Sequence, residues 1–249
     1  TTNLQLKHDL QRECVTAYRH AGRFLQPPLE KVEVAYADGV IHGYFHTPAG
    51  GGPYPLVFVL PGLGQMKEHG DFPVEILTAR GMAVLVIDMP GQGETYHSLA
   101  MGLDTPNAVA AALAAAWERP DVDRRRVALL GCSLGGAMAL RVGALAGDRV
   151  AGVASISGFY EPQEWYARAV PFVEPMLQYV AKARSRTEVL ELMRAATEFD
   201  LDLHEIASIW RYGSVVRSWL LELAEAALAD QKSFDQIRGV VADSGEGRW

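Results

Sequence analysis

The chain has 249 residues, 49% of them hydrophobic and 21% charged, which suits one large globular domain, or one domain plus a fragment, and excludes a disordered chain. A formal net charge of −7, with no basic cluster beyond Arg124-Arg125-Arg126, argues against nucleic acid as a partner. Cys14 and Cys132 give neither a disulfide framework nor a zinc-ligand spacing, and no apolar run reaches the roughly 18–20 residues of a bilayer span, so no metal, no cofactor and no membrane are expected, and a cytoplasmic location is.

The chain opens on Thr1-Thr2 without a Met and stops at Trp249, which reads as a processed, trimmed or partial frame. Leu4 to Arg23 is a polar helix, leaving residues 1–27 as an N-terminal helical segment. Lys31-Val-Glu-Val-Ala-Tyr36 and Ile41-His-Gly-Tyr-Phe-His46 alternate around Asp38-Gly39, the signature of a hairpin. Ala49 to Pro53 is a loop, Leu56 to Leu60 an apolar strand, Phe72 to Arg80 a helix and Met82 to Ile87 a second buried strand. Strands that are apolar on both faces require helices on both sides of the sheet. Thr105 to Glu118 is the next helix, with Thr105 as its cap and Pro106 at its first position. The Arg124–Arg126 trio is a solvated lead-in to the strand Val127–Leu130, and Val150 to Ile156 supplies one more. The alternation predicts an α/β chain with a mainly parallel sheet.

The segment Val127-Ala-Leu-Leu-Gly-Cys-Ser133-Leu-Gly-Gly136 carries the chemistry. An apolar strand runs into Gly-x-Ser-x-Gly and then into an Ala-rich helix, the context in which a Ser sits on a tight turn with its hydroxyl above the sheet. Gly131 and Gly135 occupy the places where the backbone leaves no room for a side chain. The helix that follows aims its first amides at the same spot, so the N–H of Leu134 is a candidate oxyanion donor.

Four pieces together, Leu60-Pro-Gly-Leu-Gly64 with Lys67-Glu68, Asp88-Met-Pro-Gly-Gln-Gly-Glu94, Arg119-Pro-Asp-Val-Asp123 and Gly131 to Gly136, resemble the α/β-hydrolase fold. The closer likeness is to its group of esterases and carbon–carbon hydrolases that includes the FrsA-like proteins and 2,6-dihydroxypseudooxynicotine hydrolase. It covers about residues 28–195. The resemblance implies Ser133 as nucleophile, the backbone amides of Leu134 and Leu63 as oxyanion hole, and Gly62 and Gly64 against the substrate. Gly64 stands where the nicotine-pathway enzyme has a Glu, which favours ester or amide hydrolysis over carbon–carbon cleavage.

A Ser hydroxyl needs a base and an orienting carboxylate. In this fold both follow the Ser, and His204 is the one histidine after position 133, the other six being His8, His20, His42, His46, His69 and His97. The strand and the Gly-x-His turn that carry the family's Asp and His have no counterpart here. His204 is the candidate base, although the apolar residues at 201, 203, 206 and 209 also make it a helix-surface position. His69 and His97 lie in loops at the rim of such a site. From about Thr197, Trp210-Arg-Tyr-Gly-Ser-Val-Val-Arg-Ser218 and Ser244-Gly-Glu-Gly-Arg-Trp249 resemble part of the helical substrate domain of 6-phosphogluconate dehydrogenase, which implies Arg248 facing a phosphosugar. No dinucleotide-binding Gly-x-Gly-x-x-Gly unit accompanies it.

The expected organisation is therefore a hydrolase core at 28–195, truncated before its last strands, and a helical segment at 196–249, joined as in a chimera. A sheet without its terminal strands exposes an edge, so copies of the chain would associate through that edge or the helical tail. The expected function is a serine hydrolase acting on an ester-like small molecule with its triad Asp and His missing. The alternatives are an inactive fold fragment that only binds, and residual phosphosugar binding by the tail.

Overall fold

The computed structural model describes residues 4–25 and 27–158, together with Tyr179, Lys182 and Glu188. The elements run α1 (Leu4–Gly22), β1 (Glu30–Tyr36), β2 (Gly39–His46), β3 (Tyr54–Leu60), α2 (Asp71–Thr78), β4 (Ala83–Ile87), α3 (Thr105–Trp117), β5 (Val122–Cys132), α4 (Leu134–Ala146) and β6 (Gly152–Ile156). Short 3₁₀ helices lie at Lys67–His69, Gly93–His97 and Gly147–Arg149. The six described strands form one sheet in the order β1-β2-β4-β3-β5-β6. β1 and β2 pair antiparallel, β2 joins β4 antiparallel, and β3 to β6 are mutually parallel, so the sheet is mixed at one end and parallel through its centre. This is an α/β-hydrolase sheet with flanking helices. The expected tail at 196–249, with His204 and Arg248, lies outside the described residues.

Alternation along the central strands divides the core into two layers. Leu56, Phe58, Leu60, Leu85 and Ile87 face α3 and α4, meeting Val109, Leu113, Met138 and Val142. Val57, Val59, Val84 and Val86 face the other way, onto Val74 and Leu77 of α2. Each fully buried side chain of this size contributes roughly 1.5–3 kcal/mol relative to exposure. The Ala-rich composition of α3 has a geometric use. Ala108, Ala112 and Ala116 are all buried against the sheet, where longer side chains would hold the helix away.

Two local expectations are corrected. The hairpin turns on Ala37-Asp38, because Tyr36 pairs with Gly39, and Ala37 takes the left-handed backbone at φ 47°. Gly39 is needed for space instead, since a Cβ there would run into the side chain of Leu99. At α3 the cap position belongs to Asp104, not Thr105. The Thr105 hydroxyl accepts from the Gly102 N–H at 2.9 Å, while Asp104 binds the Tyr36 hydroxyl at 2.6 Å and Asn107 Nδ2 at 2.8 Å. These side-chain bonds tie α3 to the end of β1. The arginine trio lies within β5, exposed, with Arg124 on Glu118 and Arg126 on Asp123.

The crossovers set the site. From β3 the chain moves to β4 on one side, then passes over β3 to β5 on the other, so the order reverses at β3. In open parallel sheets the crevice at the carboxyl ends beside such a reversal is where ligands bind. Leu60 and Gly131 are register partners, so the turn after β3 and the turn after β5 leave the sheet side by side. Gly135 lets α4 seat there, because a Cβ would collide with the carbonyl oxygens of Leu60 and Pro61. The obstacle is backbone and cannot swing aside. Gly135→Ala is expected to destabilise at the upper end of the roughly 1–3 kcal/mol typical of overpacking, read as a lowered thermal midpoint.

Candidate active site

Ser133 joins β5 to α4 with φ 53° and ψ −119°, a left-handed conformation that L residues avoid. Three contacts hold it there. Its N–H donates to Ile156 O on β6 at 2.8 Å, and its carbonyl accepts the Ala137 N–H at 3.0 Å. Gly131 lies so close to Gly135 that a Cβ would strike the Gly135 carbonyl. Ser133 and Leu134 are both half-buried, whereas Cys132 beside them is exposed. Leu134 is the first residue of α4, so its N–H has no partner inside the helix and stands at the positive end of a 13-residue helix.

The neighbouring turn is Pro61-Gly62-Leu63-Gly64-Gln65. Gly62 donates its N–H to Gln65 Oε1 at 2.7 Å, and Gly64 takes φ 78°. Gln92, from the loop after β4, donates Nε2 to Gly62 O at 2.7 Å and to Gln65 O at 2.9 Å. Its Oε1 is buried and meets no donor among the described residues, at a cost of about 1–3 kcal/mol. No acceptor among the described residues meets the N–H of Leu63, which is half-buried.

Behind this turn lies an ion cluster. Lys67 is fully buried, and its Nζ is 2.8 Å from each of Glu68 Oε1, Asp88 Oδ2 and Glu94 Oε2. An ammonium has three donors, so all of them are used. Asp88 also accepts the backbone N–H of Lys67 at 2.8 Å and that of Glu94 at 2.8 Å, fixing both loops to one carboxylate. Gly93 leaves room for it, since a Cβ would overlap the Asp88 carboxylate. Tyr44 closes the cluster from β2, its hydroxyl donating to Glu68 at 2.9 Å, and burial pushes that phenol well above its ordinary value. Burial alone would lower the Lys67 ammonium, but the Asp88 and Glu68 carboxylates beside it raise its pKa on balance. Arg19 of α1 reaches Glu94 at 2.7 Å, and Tyr18 stacks on Tyr44 with ring centres 5.2 Å apart, which seats α1 on the core.

The histidines before position 133 have other engagements. His8 packs against Tyr96 and His97 at 5.4 and 5.1 Å between ring centres, and His20 against Phe24 at 5.7 Å. His69 Nδ1 accepts the Met66 N–H at 2.9 Å, closing its own 3₁₀ turn. His46 is buried on β2. The pair formed by His42 Nδ1 and Glu33 Oε1, 3.3 Å apart, sits on the β1–β2 hairpin, three strands along the sheet from β5. The structure thus brings together Ser133, Leu134, Leu63, Gly62 and Gly64. Gln92, Gln65 and the Lys67 cluster are additions that motif reading passed over, although Lys67, Glu68, Gln92 and Glu94 stood inside the segments it singled out.

The cluster gives a pH dependence. Burial would raise the Glu94 carboxyl, but the hydrogen bond and charge of Lys67, with the charge of Arg19, hold its pKa below the ordinary carboxylate value. A carboxyl lowered in the folded state stabilises above its unfolded pKa and loses that contribution as pH falls through the folded one. Urea midpoints of wild type and Glu94→Gln should therefore differ at neutral pH, with wild type the more stable, and converge in the acid range below the ordinary carboxyl value.

Comparison with known proteins bears on the family and the fold. The family model for FrsA-like esterases matches residues 3–161. The 2,6-dihydropseudooxynicotine hydrolase of Paenarthrobacter nicotinovorans is 31% identical over 198 residues, 79% of this chain and 53% of that protein. Esterase FrsA of Yersinia pestis (strain Pestoides F) is 31% identical over 144 residues, 56% of this chain and 34% of the esterase. A solved structure of the 2,6-dihydroxy-pseudo-oxynicotine hydrolase superposes with a TM-score of 0.70 at 29% identity, covering 76% of this chain and 53% of that one. A shorter similarity, 47% identity over 62 residues, 25% of this chain, links it to 20% of YqeC of Bacillus subtilis (strain 168), a protein named for 6-phosphogluconate dehydrogenase. The chain spans about half the length of the first of these relatives and less of the others. With the family model matching residues 3–161, well over half of its length, the chain belongs to the FrsA-like esterase family.

Proposed function

We propose that this chain is a serine hydrolase of the α/β-hydrolase superfamily that acts on an ester-like small molecule, with Ser133 as nucleophile and the N–H groups of Leu63 and Leu134 as oxyanion hole. The observation that carries the reading is the left-handed backbone of Ser133 between a strand and a helix, held by two glycines that admit no Cβ. Strain of that kind persists where the surroundings over-determine it, and it clusters at active sites. The hydroxyl attacks the acyl carbon and gives up its proton to a base. The carbonyl electrons move onto the oxygen between the two amides, and the leaving alkoxide departs with a proton to give an acyl-enzyme that water then hydrolyses. The Gly64 position, which lacks a carboxylate, favours ester over carbon–carbon bond substrates.

His204 is the proposed base. The engagements of the described histidines favour a second reading, an elbow that binds without turning over. A fluorophosphonate probe separates the two. Rapid modification of Ser133, located by mass spectrometry and lost in Ser133→Ala, is expected if a base is recruited; an unmodified Ser133 under native conditions leaves the binding reading.

The similarity to YqeC supports one further proposal, residual phosphosugar binding through Arg248. Millimolar 6-phosphogluconate is then expected to raise the thermal midpoint of the whole chain, and Arg248→Ala to abolish the rise, because a ligand that binds only the folded state stabilises it by mass action.

A further inference from the structure

The turn that bears Leu63 is held from outside its own strand. Gln92, 2% exposed, sends both Nε2 hydrogens to the two ends of that turn, one to Gly62 O and one to Gln65 O. Gln65 closes the turn from within, its N–H on Gly62 O at 3.1 Å and its Oε1 on the Gly62 N–H at 2.7 Å. The polar backbone groups of Gly62 are thereby spent inside the loop. Among the described residues the amides of Leu63 and Gly64 meet no acceptor, and of the two Leu63 is the half-buried one, Gly64 being exposed. Gln92 is itself fixed, with its N–H on Met89 O at 2.9 Å and its carbonyl accepting the Tyr96 N–H at 2.9 Å.

Bridging two carbonyls requires one nitrogen with two hydrogens on an arm of this length. A Glu would set oxygen lone pairs against the carbonyl oxygens, and a Met would fill the space without donating. The unpaired Oε1 of Gln92 also argues that the residue serves more than local stability, because a residue chosen for packing alone would not bury an unmatched acceptor.

We propose that Gln92 is a positioning residue that holds the Leu63 N–H toward the oxyanion formed at Ser133, an inference that rests on the oxyanion-hole reading given above. Negative charge develops on that oxygen only in the transition state. Loss of the Gln92 bonds therefore lowers kcat and leaves KM in place.

The test uses the full chain and three readouts: the rate of fluorophosphonate modification at Ser133, steady-state hydrolysis of p-nitrophenyl acetate, and amide exchange in the peptide spanning residues 61–66. In Gln92→Met, modification and kcat should both fall about tenfold or more, approaching the loss of one oxyanion donor. KM should stay unchanged, and exchange in 61–66 should speed up. Gln92→Glu, the same length without the donors, carries the same expectation and stands in if the Met variant does not fold. A wild-type Ser133 that is modified, with Gln92→Met modified as fast or with KM alone altered, overturns the role of Gln92 and leaves the nucleophile standing. A wild-type Ser133 that is never modified overturns the oxyanion reading and the inference with it.

Discussion

One ammonium group, that of Lys67, lies at no exposure among three carboxylates, each 2.8 Å away. Taking such charges out of water costs several kcal/mol per ion, and the cost is recovered only where geometry and hydrogen bonds are complete. Here the donors of Lys67 are all used, and Asp88 spends its remaining capacity on two backbone amides. The cluster fastens together two connecting segments and a helix: the segment after β3, the segment after β4 and, through Arg19, helix α1. A hydrophobic plug of the same volume would have served stability as well or better. What the ionic version supplies is direction, because each loop is held at a defined distance from a fixed point. The turn carrying Leu63 ends at that point.

The elbow depends on a different kind of constraint. Besides its two backbone hydrogen bonds, Ser133 is kept at φ 53° by the absence of side chains at Gly131 and Gly135, which lets β5, α4 and the end of β3 close to distances that any Cβ would forbid. Close approach and buried charge thus act on adjacent turns, the first fixing Ser133 and the second fixing the amide across from it. Both are non-local in origin.

How much was legible in the sequence follows from that distinction. The continuous apolar runs of β3 and β4 and the Gly-x-Ser-x-Gly turn are local signals, and the elements they predict stand within a few residues of where they were expected. The Asp38-Gly39 pair misled because Gly there answers to Leu99, sixty positions on, and not to the turn. Thr105 misled because its hydroxyl turns back to Gly102, leaving the cap position to Asp104. Gln92 and Lys67 were unreadable for a simpler reason. A Gln or Lys in a loop reads as solvated, and only the fold brings Gly62 within 2.7 Å of the one and Asp88 within 2.8 Å of the other.

The N–H of Ser133 is bonded to Ile156 on β6, the last strand in the described order, with only β5 as its sheet partner among the described residues. That bond makes the serine backbone depend on how β6 sits against β5. Peeling β6 away would release the serine backbone to a relaxed φ while β3, β4 and β5 remained paired. The backbone of the proposed nucleophile is thus coupled to strand pairing, and a change that shifts β6 reaches Ser133 without altering any residue of the elbow.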